Sequence, residues 1–552
     1  MNPETDRDRI VLGLLDQLTE IEQRLIPTGM HVFGCAPGDR QAADMLRMVA
    51  SFERPEAGVP ALTDLVAAGI GATERADAVV RGAIEEFLAH GSEPAADYLA
   101  REASVPAAES AKVFALLSRV REELLVSHET DALVRALRGE YIEPGPGGDI
   151  VQNPGILPTG RNTHAVNPYG IPSAVAFRKS EAVVDALLER YVSERGRYPE
   201  AMAMVLWGMD NIKTHGEGVA QALRLLGVEP RRDAMNRVTD VEVLPLTLLG
   251  RPRIDVVMTV SGIFRDLFGA TLELLEKAVR KVAALDEPAE MNFLRKHALE
   301  QVAEGESLED AAIRVFSNAA GNYGTNVNFM VMDSQWQRPE ELGDLFVTRK
   351  CFAFGRGLEG REARRLMDRA LSRVQVTYQN IDSTEVGITD VDHYFEYLGG
   401  LSQAVGKRSG EQPEVYLSDT LTPAVKVRSL AEVVELETRT KTLNPKWYEG
   451  MLKHGYSGVA QIEHHVTNTF GWSATAGGVA GWVYDEIAGT YVLDETMLER
   501  LRAHNPHSTR NLAGRLLEAN ERGFWAAGED TVERLRDIVS GLEDQLEGVG
   551  GG

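Results

Sequence analysis

Two short, mostly apolar runs constrain the fold of this chain more than any other feature. The first, Ala201–Trp207, is followed by a polar turn and by a predicted helix at Gly216–Leu226. The second, Ile254–Val260, leads through Ser261–Gly262 into a helical segment that begins near Arg265. Buried strands alternating with helices predict an α/β fold with a parallel sheet. The turns after both strands would then lie at the carboxyl edge of the sheet, where α/β folds usually place ligands.

The regions on either side of these strands have a different character. Apolar residues recur at helical spacing from Asp6 to about Arg138, and helical periodicity returns after about Leu430. Between them, proline and glycine are too frequent around residues 141–172 for regular structure. We therefore predict a multidomain chain with five parts: a mainly helical region at 1–140, a Pro/Gly-rich loop at 141–172, an α/β region with ligand loops at 173–430, a mainly helical region at 431–545, and a flexible tail at 546–552.

Composition excludes several classes of protein. The chain has 58 Lys and Arg against 83 Asp and Glu, a net charge of -25, which argues against nucleic acid as the main partner. The two cysteines, Cys35 and Cys351, are too few for a disulfide framework and fit a reducing compartment. The first residues do not resemble a signal peptide, and no apolar run is long enough to span a bilayer. We therefore expect a cytoplasmic protein without a transmembrane segment.

The densest polar loop follows the first predicted strand. Asp210, His215 and Glu217 are suitable ligands for a divalent cation, and Lys213 could pair with a carboxylate. The alternative is structural, with Asp210 or Thr214 capping the next helix and the glycines making the turn. The loop lacks the Gly and Lys-Ser/Thr spacing of a Walker A motif, so we expect no ATP binding by this chain.

A second cluster of carboxylates lies in the segments Asn380–Glu385 and Thr389–Tyr394, which together hold four acidic residues and His393. Carboxylate oxygens are the ligands that magnesium and calcium prefer, so this cluster is a candidate cation site. Helix capping by Asp382 or Asp390 is the structural alternative, because Asp often begins helices.

Histidines occur side by side in an apparent helix from about Gly458 to Phe470. His464 and Asn468 would share one helix face, and His465 is adjacent. Histidine accepts protons near neutral pH and also binds metals. The alternative is that both imidazoles only form hydrogen bonds in the core or at the surface.

Two further loops combine small residues with polar ones. The segment Ser317–Asn326, which contains Asn322 and Tyr323, permits close approach of the backbone to a ligand. The tip of the Pro/Gly-rich loop contains Arg161 and His164, and a loop of this length is usually either a linker or a binding loop. An ordinary tight turn and a plain linker are the respective alternatives.

Read in order, these segments resemble the family of large, porphyrin-binding magnesium chelatase subunits (the H type), which includes the large subunit of aerobic cobaltochelatase. The resemblance covers nearly the whole chain in family order, and the DNIKT run after the first strand is closer to the magnesium branch. The runs that carry it are EIEQRLIPTGMHVFG, LPTGRNTHAVNP, VLWGMDNIKTHGEGVAQAL, GRPRIDVVMTVSGIFRDLF, MNFLRKHA, FSNAAGNYGTNVN, TYQNIDSTEVGITDVDHYF, LNPKWYEGMLKHGYSGVAQIEHHVTNTFGWSAT and GRLLEANERGFW.

The resemblance implies a ligase subunit that binds protoporphyrin IX and Mg²⁺ and supports metal insertion in chlorophyll or bacteriochlorophyll biosynthesis for photosynthesis. Separate AAA+ subunits of the I and D type would hydrolyse ATP, because magnesium gives up its water reluctantly. Insertion also needs a held macrocycle and acceptors for two pyrrole protons.

This chemistry suggests roles for the polar residues singled out above. Candidate metal ligands are Asp210, Glu217, Asp390 and His393. Candidate catalytic groups that accept protons are His215, Glu217, His464 and His465. Candidate contacts to the tetrapyrrole are Asn211, Lys213, Asn322, Tyr323, Arg161 and His164.

Two alternatives remain within and beside this family. One is a cobaltochelatase large subunit that inserts Co²⁺ into a corrinoid in cobalamin biosynthesis, and the other is a non-catalytic tetrapyrrole-binding paralogue. Family members are longer than this chain and have an N-terminal portion with no counterpart in it. The resemblance therefore implies a split subunit that works with a separate N-terminal large-subunit chain, a truncated paralogue or an excised fragment, and we expect activity to need partner subunits.

Overall fold

The fold is taken from a computed structural model of the 552-residue chain. The residues that it describes are 11, 13–15, 17–21, 24, 26–54, 57–71, 74–151, 153–163, 168–383, 385–420 and 425–549. The predicted tetrapyrrole contact His164 and part of the predicted flexible tail lie outside these residues. Within the described ranges, no helix is long and apolar enough to cross a membrane.

The chain divides into two compact units, one of residues 30–165 and one of residues 1–29 with 166–552. The first segment therefore belongs with the larger unit and not with the helical region predicted at 1–140. One reason is ionic: the Glu20 carboxylate lies 3.2 Å from the Lys426 ammonium and also pairs with Arg428.

The smaller unit is helical, as its apolar spacing predicts. Its core includes Phe87 and Phe114, whose stacked rings lie 5.4 Å apart. Its Pro/Gly-rich part contains only two short parallel strands, β1 (Pro144–Gly145) and β2 (Asn162–Thr163), and a 3₁₀ turn, as far as the structure describes it. The helices are Asp39–Ala50, Leu62–Ile70, Glu74–His90, Ser92–Ala103, Ala107–Leu124 and Glu129–Leu137.

The larger unit is built on an eight-stranded sheet with the order β12-β11-β10-β3-β6-β7-β8-β9. The five strands from β11 to β7 pair in parallel, and the pairs at both edges are antiparallel. A separate hairpin joins β4 and β5. The strands are β3 (Ala201–Leu206), β4 (Val228–Arg232), β5 (Val238–Val243), β6 (Asp255–Val260), β7 (Val315–Ser317), β8 (Phe352–Ala353), β9 (Arg361–Glu362), β10 (Val376–Ile381), β11 (Glu414–Asp419) and β12 (Lys426–Ser429).

The two strands that the sequence predicts, β3 and β6, are neighbours at the centre of this sheet, and all their residues are buried. Strands covered on both faces by helices are apolar throughout, which is why these runs show no alternation. The α/β class, with helical parts before and after a parallel sheet, is confirmed.

Helices cover the sheet and make up the C-terminal part of the larger unit. Among the residues that the structure describes, three five-residue stretches are π-helical, at Phe395–Gly399, Thr438–Thr442 and Gly489–Leu493. The α-helices are Ala174–Arg195, Gly208–Lys213, Glu217–Leu226, Leu246–Leu249, Gly262–Leu267, Gly269–Ala283, Phe293–Ala303, Leu308–Ala311, Val327–Met332, Glu340–Lys350, Arg364–Leu371, Gly400–Ser409, Leu430–Glu437, Pro445–Leu452, Tyr456–Thr475, Gly481–Ala488, Glu495–His504, Pro506–Glu521 and Glu529–Glu547.

A buried ionic network anchors the amino end of β6. The Asp255 carboxylate accepts hydrogen bonds from the Arg314 guanidinium at 2.7 and 3.0 Å, and its Oδ2 lies 2.9 Å from His297 Nδ1. Burial alone would raise the pKa of Asp255, but the Arg314 and His297 contacts outweigh it and lower the pKa to about 2. This carboxylate is therefore charged and paired inside the protein.

Replacing Asp255 should destabilise the larger unit, because Asp255→Asn leaves the buried Arg314 guanidinium without its counter-ion. We expect a loss of about 3–5 kcal/mol in the free energy of unfolding, measured by urea denaturation at neutral pH. The wild-type contribution is fully present above the ordinary pKa of 3.8 and disappears as the pH falls towards about 2. Asp344→Asn, which removes an exposed carboxylate paired with Lys407 and Arg408, is the control and should cost under about 1 kcal/mol.

Candidate functional site

The turns that follow β3 and β6 are joined by one side chain. Ser261 Oγ accepts hydrogen bonds from the backbone N–H of Phe264 at 3.1 Å, which caps a helix, and from that of Gly208 at 3.0 Å. Gly208 sits so close to the neighbouring helix that an added Cβ would lie 2.6 Å from Ile263 Cγ2. Glycine is therefore required there, and the two turns form one surface at the carboxyl edge of the sheet.

Three carboxylates with one lysine, Asp210, Glu217, Asp382 and Lys213, form what we call the acidic cluster at this edge. Asp382 directly follows β10, and its Oδ2 lies 3.0 Å from Lys213 Nζ, so the predicted pairing of Lys213 with a carboxylate is confirmed. Asp210 and Glu217 are buried, and the charges of Asp382 and Glu217 both act on Asp210. In the described part of the chain, Asp210 Oδ1 is buried and accepts no hydrogen bond.

The environment of Asp210 favours its protonated form. Burial is the largest cause, followed by the negative charges of Asp382 and Glu217, and together they raise the pKa of Asp210 well above its usual range. The Lys213 charge and a hydrogen bond with Asn380 oppose this shift. A carboxyl group in this state takes up either a proton or a cation more readily than an exposed one does.

The remaining residues of the first loop have other surroundings. Asn211 is buried, donates from Nδ2 to the Trp207 carbonyl at 2.7 Å and accepts at Oδ1 from a backbone N–H, so its amide holds the loop together. His215 is exposed and has a left-handed φ of 52°. Thr214 Oγ1 accepts from the N–H of Glu217 at 3.2 Å, so the capping alternative applies to Thr214. The tetrapyrrole contact predicted for Asn211 and the proton-acceptor or cation-ligand role predicted for His215 stay predictions.

Aromatic rings line the site next to the acidic cluster. The Trp207 ring centroid lies 4.4 Å from that of Tyr397 and 6.1 Å from that of Tyr394. The Lys350 ammonium lies 4.0 Å from the Tyr397 centroid and donates to the Val260 carbonyl at 2.8 Å. Complete burial lowers the pKa of Lys350 well below its usual range.

His393 is held by a buried carboxylate. Its Nδ1 lies 2.8 Å from Oε2 of Glu396, which belongs to the π-helical turn Phe395–Gly399. The hydrogen bond to Glu396 is the largest cause that raises the pKa of His393, and burial of the ring opposes it. π-helical turns are often found at functional sites.

Asp390, which was predicted to bind metal with His393, has different partners. Its Oδ1 lies 2.7 Å from His465 Nε2, and its Oδ2 pairs with Lys441. Burial opposes these contacts, but the charges of Lys441 and His465 lower the pKa of Asp390. The structure therefore brings together Asp390 and His465, and it places His393 with Glu396.

His465 is fully buried, and the ring of Trp447 lies 4.4 Å from it. His464 projects from the same helix to the surface and lies 3.8 Å from Glu463. The two adjacent histidines therefore have different environments, because neighbouring helix positions point about 100° apart. His465 joins the Asp390 network, whereas the proton-acceptor role predicted for both residues stays a prediction.

Five exposed apolar side chains lie on the loops and helices that follow β3, β6, β7 and β10, and we call them the apolar rim: Met209, Ile263, Tyr323, Phe329 and Val391. Tyr323 is 50% exposed, packs against Gly262 and donates from its hydroxyl to Asp266 at 2.7 Å. Grouped apolar exposure of this kind marks a binding surface more often than scattered single residues do.

Two of the predicted tetrapyrrole contacts, Asn322 and Arg161, take no part in the side-chain hydrogen bonds of the acidic cluster described above. Asn322 is exposed and its carbonyl accepts from Arg265 at 2.8 Å. Arg161 is exposed in the smaller unit. Among the described residues, no three His, Cys, Asp or Glu side chains are arranged to hold a metal ion by themselves.

Comparisons with known proteins agree on one family. Residues 1–532 match the family described as CobN/Magnesium Chelatase. The chain is 42% identical to the magnesium-chelatase subunit ChlH of Oryza sativa subsp. indica over 99% of its length, and 46% identical to the magnesium-chelatase H subunit of Cereibacter sphaeroides over 78%. These alignments cover 43% and 36% of the two relatives, so the chain spans less than half of their length.

A solved structure shares this fold. The catalytic subunit of cobaltochelatase from Mycobacterium tuberculosis superposes with a TM-score of 0.93 at 33% sequence identity. The match covers 98% of this chain and 47% of that one.

The raised pKa of Asp210 predicts a stability change with a defined sign. Between the ordinary pKa of 3.8 and the higher folded value, the folded state binds more protons than the unfolded state, so wild-type stability falls as the pH rises. Asp210→Asn removes this loss and should be more stable than wild type at pH about 8 but not at pH about 4. Thermal unfolding at both pH values measures it, with exposed Asp537→Asn as control. Equal effects at both pH values would contradict the assignment.

Proposed function

Because the chain belongs to the CobN/magnesium chelatase family, we propose that it forms the part of a magnesium chelatase large subunit that handles protoporphyrin IX and Mg²⁺. The reaction is the insertion of Mg²⁺ into the macrocycle, with ATP hydrolysed by separate AAA+ subunits of the I and D type. The named magnesium-chelatase relatives are 42% and 46% identical to this chain, which favours magnesium over cobalt.

The observation that carries the proposal is the acidic cluster next to the apolar rim. A flat, apolar macrocycle would pack against the rim, where Tyr323 and Phe329 are exposed. Its centre would then face carboxylate oxygens, which are the ligands that Mg²⁺ prefers. The cluster contains no sulfur ligand, so its donors suit a hard cation.

Insertion forms bonds between the cation and the four pyrrole nitrogens and releases two protons from the macrocycle. The released protons need acceptors close to its centre. Asp210 would be ionised while the cation is bound and, because its surroundings favour protonation, would accept one of these protons when the cation leaves. Lys213 would hold Asp382 in place beside the cation. Glu217, a buried carboxylate whose charge acts on Asp210, is a candidate acceptor for the second proton.

Cobalt insertion into a corrinoid is the second candidate, because the solved cobaltochelatase structure shares the fold over 98% of this chain. Absorbance and tryptophan-quenching titrations of the purified chain with deuteroporphyrin and with a metal-free corrinoid separate the two. We expect tighter binding of the porphyrin. Preference for the corrinoid would favour the cobalt reaction, and porphyrin binding without insertion in the presence of all partner subunits would indicate a non-catalytic tetrapyrrole-binding protein.

If the apolar rim binds the porphyrin, removing its aromatic side chains should lower the affinity for porphyrin. Combined Tyr323→Ala and Phe329→Ala should weaken deuteroporphyrin binding about tenfold or more, since one aromatic contact contributes roughly 0.5–1.5 kcal/mol beyond its buried area. Tyr456→Ala removes a similarly exposed ring on another helix and should leave the affinity unchanged. Equal losses in both variants would argue against the rim as the binding surface.

The acidic cluster predicts a separate effect on the chemical step. Asp382→Asn should lower the rate of magnesium insertion about 100-fold and leave porphyrin affinity within about twofold, because the lost group acts on the cation and not on the macrocycle. The rate is measured by the fluorescence of the product, with ATPase subunits and an N-terminal large-subunit chain present. Glu385→Gln, an exposed neighbour, is the matched control. A wild-type rate for Asp382→Asn would exclude a role for this carboxylate.

A further inference from the structure

His393 combines exposure with a firmly held orientation. Its side chain is 61% exposed, whereas the Glu396 side chain that binds its Nδ1 is 1% exposed. Glu396 is itself fixed, because its Oε1 accepts hydrogen bonds from Thr325 Oγ1 at 2.9 Å and from the backbone N–H groups of Thr325 and Asn326. The exposed imidazole is thus hydrogen-bonded to a carboxylate that is itself held by three hydrogen bonds.

This contact selects one form of the neutral imidazole. When Nδ1 carries the hydrogen and donates it to Glu396, Nε2 carries the free electron pair. Within the described part of the chain, Nε2 has no hydrogen-bond partner, and the ring is largely open to solvent. A carboxylate behind a histidine is the arrangement that orients histidines which bind metals and makes their free nitrogen a stronger ligand.

The surroundings limit which metal species this nitrogen would bind. The two nearest carboxylates, Glu396 and Asp392, lie 2.8 and 3.6 Å from Nδ1 and not at the open Nε2, and in the described residues no three His, Cys, Asp or Glu side chains are arranged to hold an ion. An aromatic ring lies near the imidazole, because the Trp207 centroid is 6.5 Å from that of His393. Asn328, which precedes the exposed Phe329, donates from its amide to the neighbouring Asp392 at 2.6 Å. The fitting ligand is an apolar molecule that supplies most of the metal's ligands itself and leaves an axial position open.

We propose that Nε2 of His393 is the axial ligand of the metal in a metallated tetrapyrrole and that Glu396 is the positioning residue that orients it. The ligand class rests on the function proposed above, whereas the assignment of these two residues rests on their geometry. The imidazole would bind the product of insertion and not the metal-free macrocycle. It would therefore favour the metallated state on the protein.

Zinc deuteroporphyrin tests this directly, because a five-coordinate zinc porphyrin shows a red-shifted Soret band when nitrogen binds axially. The titration is run at mildly alkaline pH, where protonation of His393 does not compete. Wild type should give the shifted band, and His393→Ala should lose it but bind metal-free deuteroporphyrin as wild type does. Added imidazole should restore the shift. His507→Ala, which removes another exposed histidine, should keep it.

Glu396→Gln tests the positioning role. It should weaken binding of the zinc porphyrin about 10- to 100-fold and leave binding of the metal-free porphyrin unchanged, whereas a general loss of structure would weaken both equally. A shifted band that persists in His393→Ala, or its absence in wild type, overturns the inference. Binding of the metal-free porphyrin is scored in the same titrations, so failure of the proposed function is seen separately.

Discussion

The in-register parallel pairing of β3 with β6 is the constraint on which the site depends. Leu206 and Val260 end these strands side by side, so the chain leaves both at the same level. Ser261 then joins the two turns, and Gly208 allows their helices to approach. Because β10 pairs with the other side of β3, Asp382 arrives at the same edge as the loop that carries Asp210. A shift of either strand by one residue would turn these side chains away from each other.

The strands β3 and β6 could be predicted because burial on both faces leaves a continuous apolar run. The strand β10 could not, since Val376–Ile381 reads VTYQNI and includes four residues with polar groups. These polar groups are buried: the Tyr378 hydroxyl donates to Gln221 and Asn380, whereas Gln379 Nε2 has no hydrogen-bond partner among the described residues. Because the sequence does not predict this strand, it does not predict where Asp382 lies, and a helix cap is an equally good interpretation of that residue.

Glu396 and Lys350 were absent from the sequence prediction for another reason. Each acts through contacts that are distant along the chain, Glu396 with Thr325 and Lys350 with Val260. Nothing in local spacing shows such contacts, and an acidic residue in a helix is usually exposed. The same holds for His464 and His465. The sequence makes both of them candidates, but only the packing of their helix shows that His465 is buried.

Most buried carboxylates in the larger unit are compensated, and Asp210 is an exception. Asp390 has Lys441 and Asp255 has Arg314, whereas Asp210 lies beside two more carboxylates with one lysine among them. The energetic cost of this arrangement falls when positive charge arrives, as a cation or as a proton. On the proposed function, the cation leaves the acidic cluster and protons take its place there. Transfer of Mg²⁺ into the macrocycle frees the carboxylates at the step that releases two protons, so the groups that present the cation become the acceptors for what it displaces.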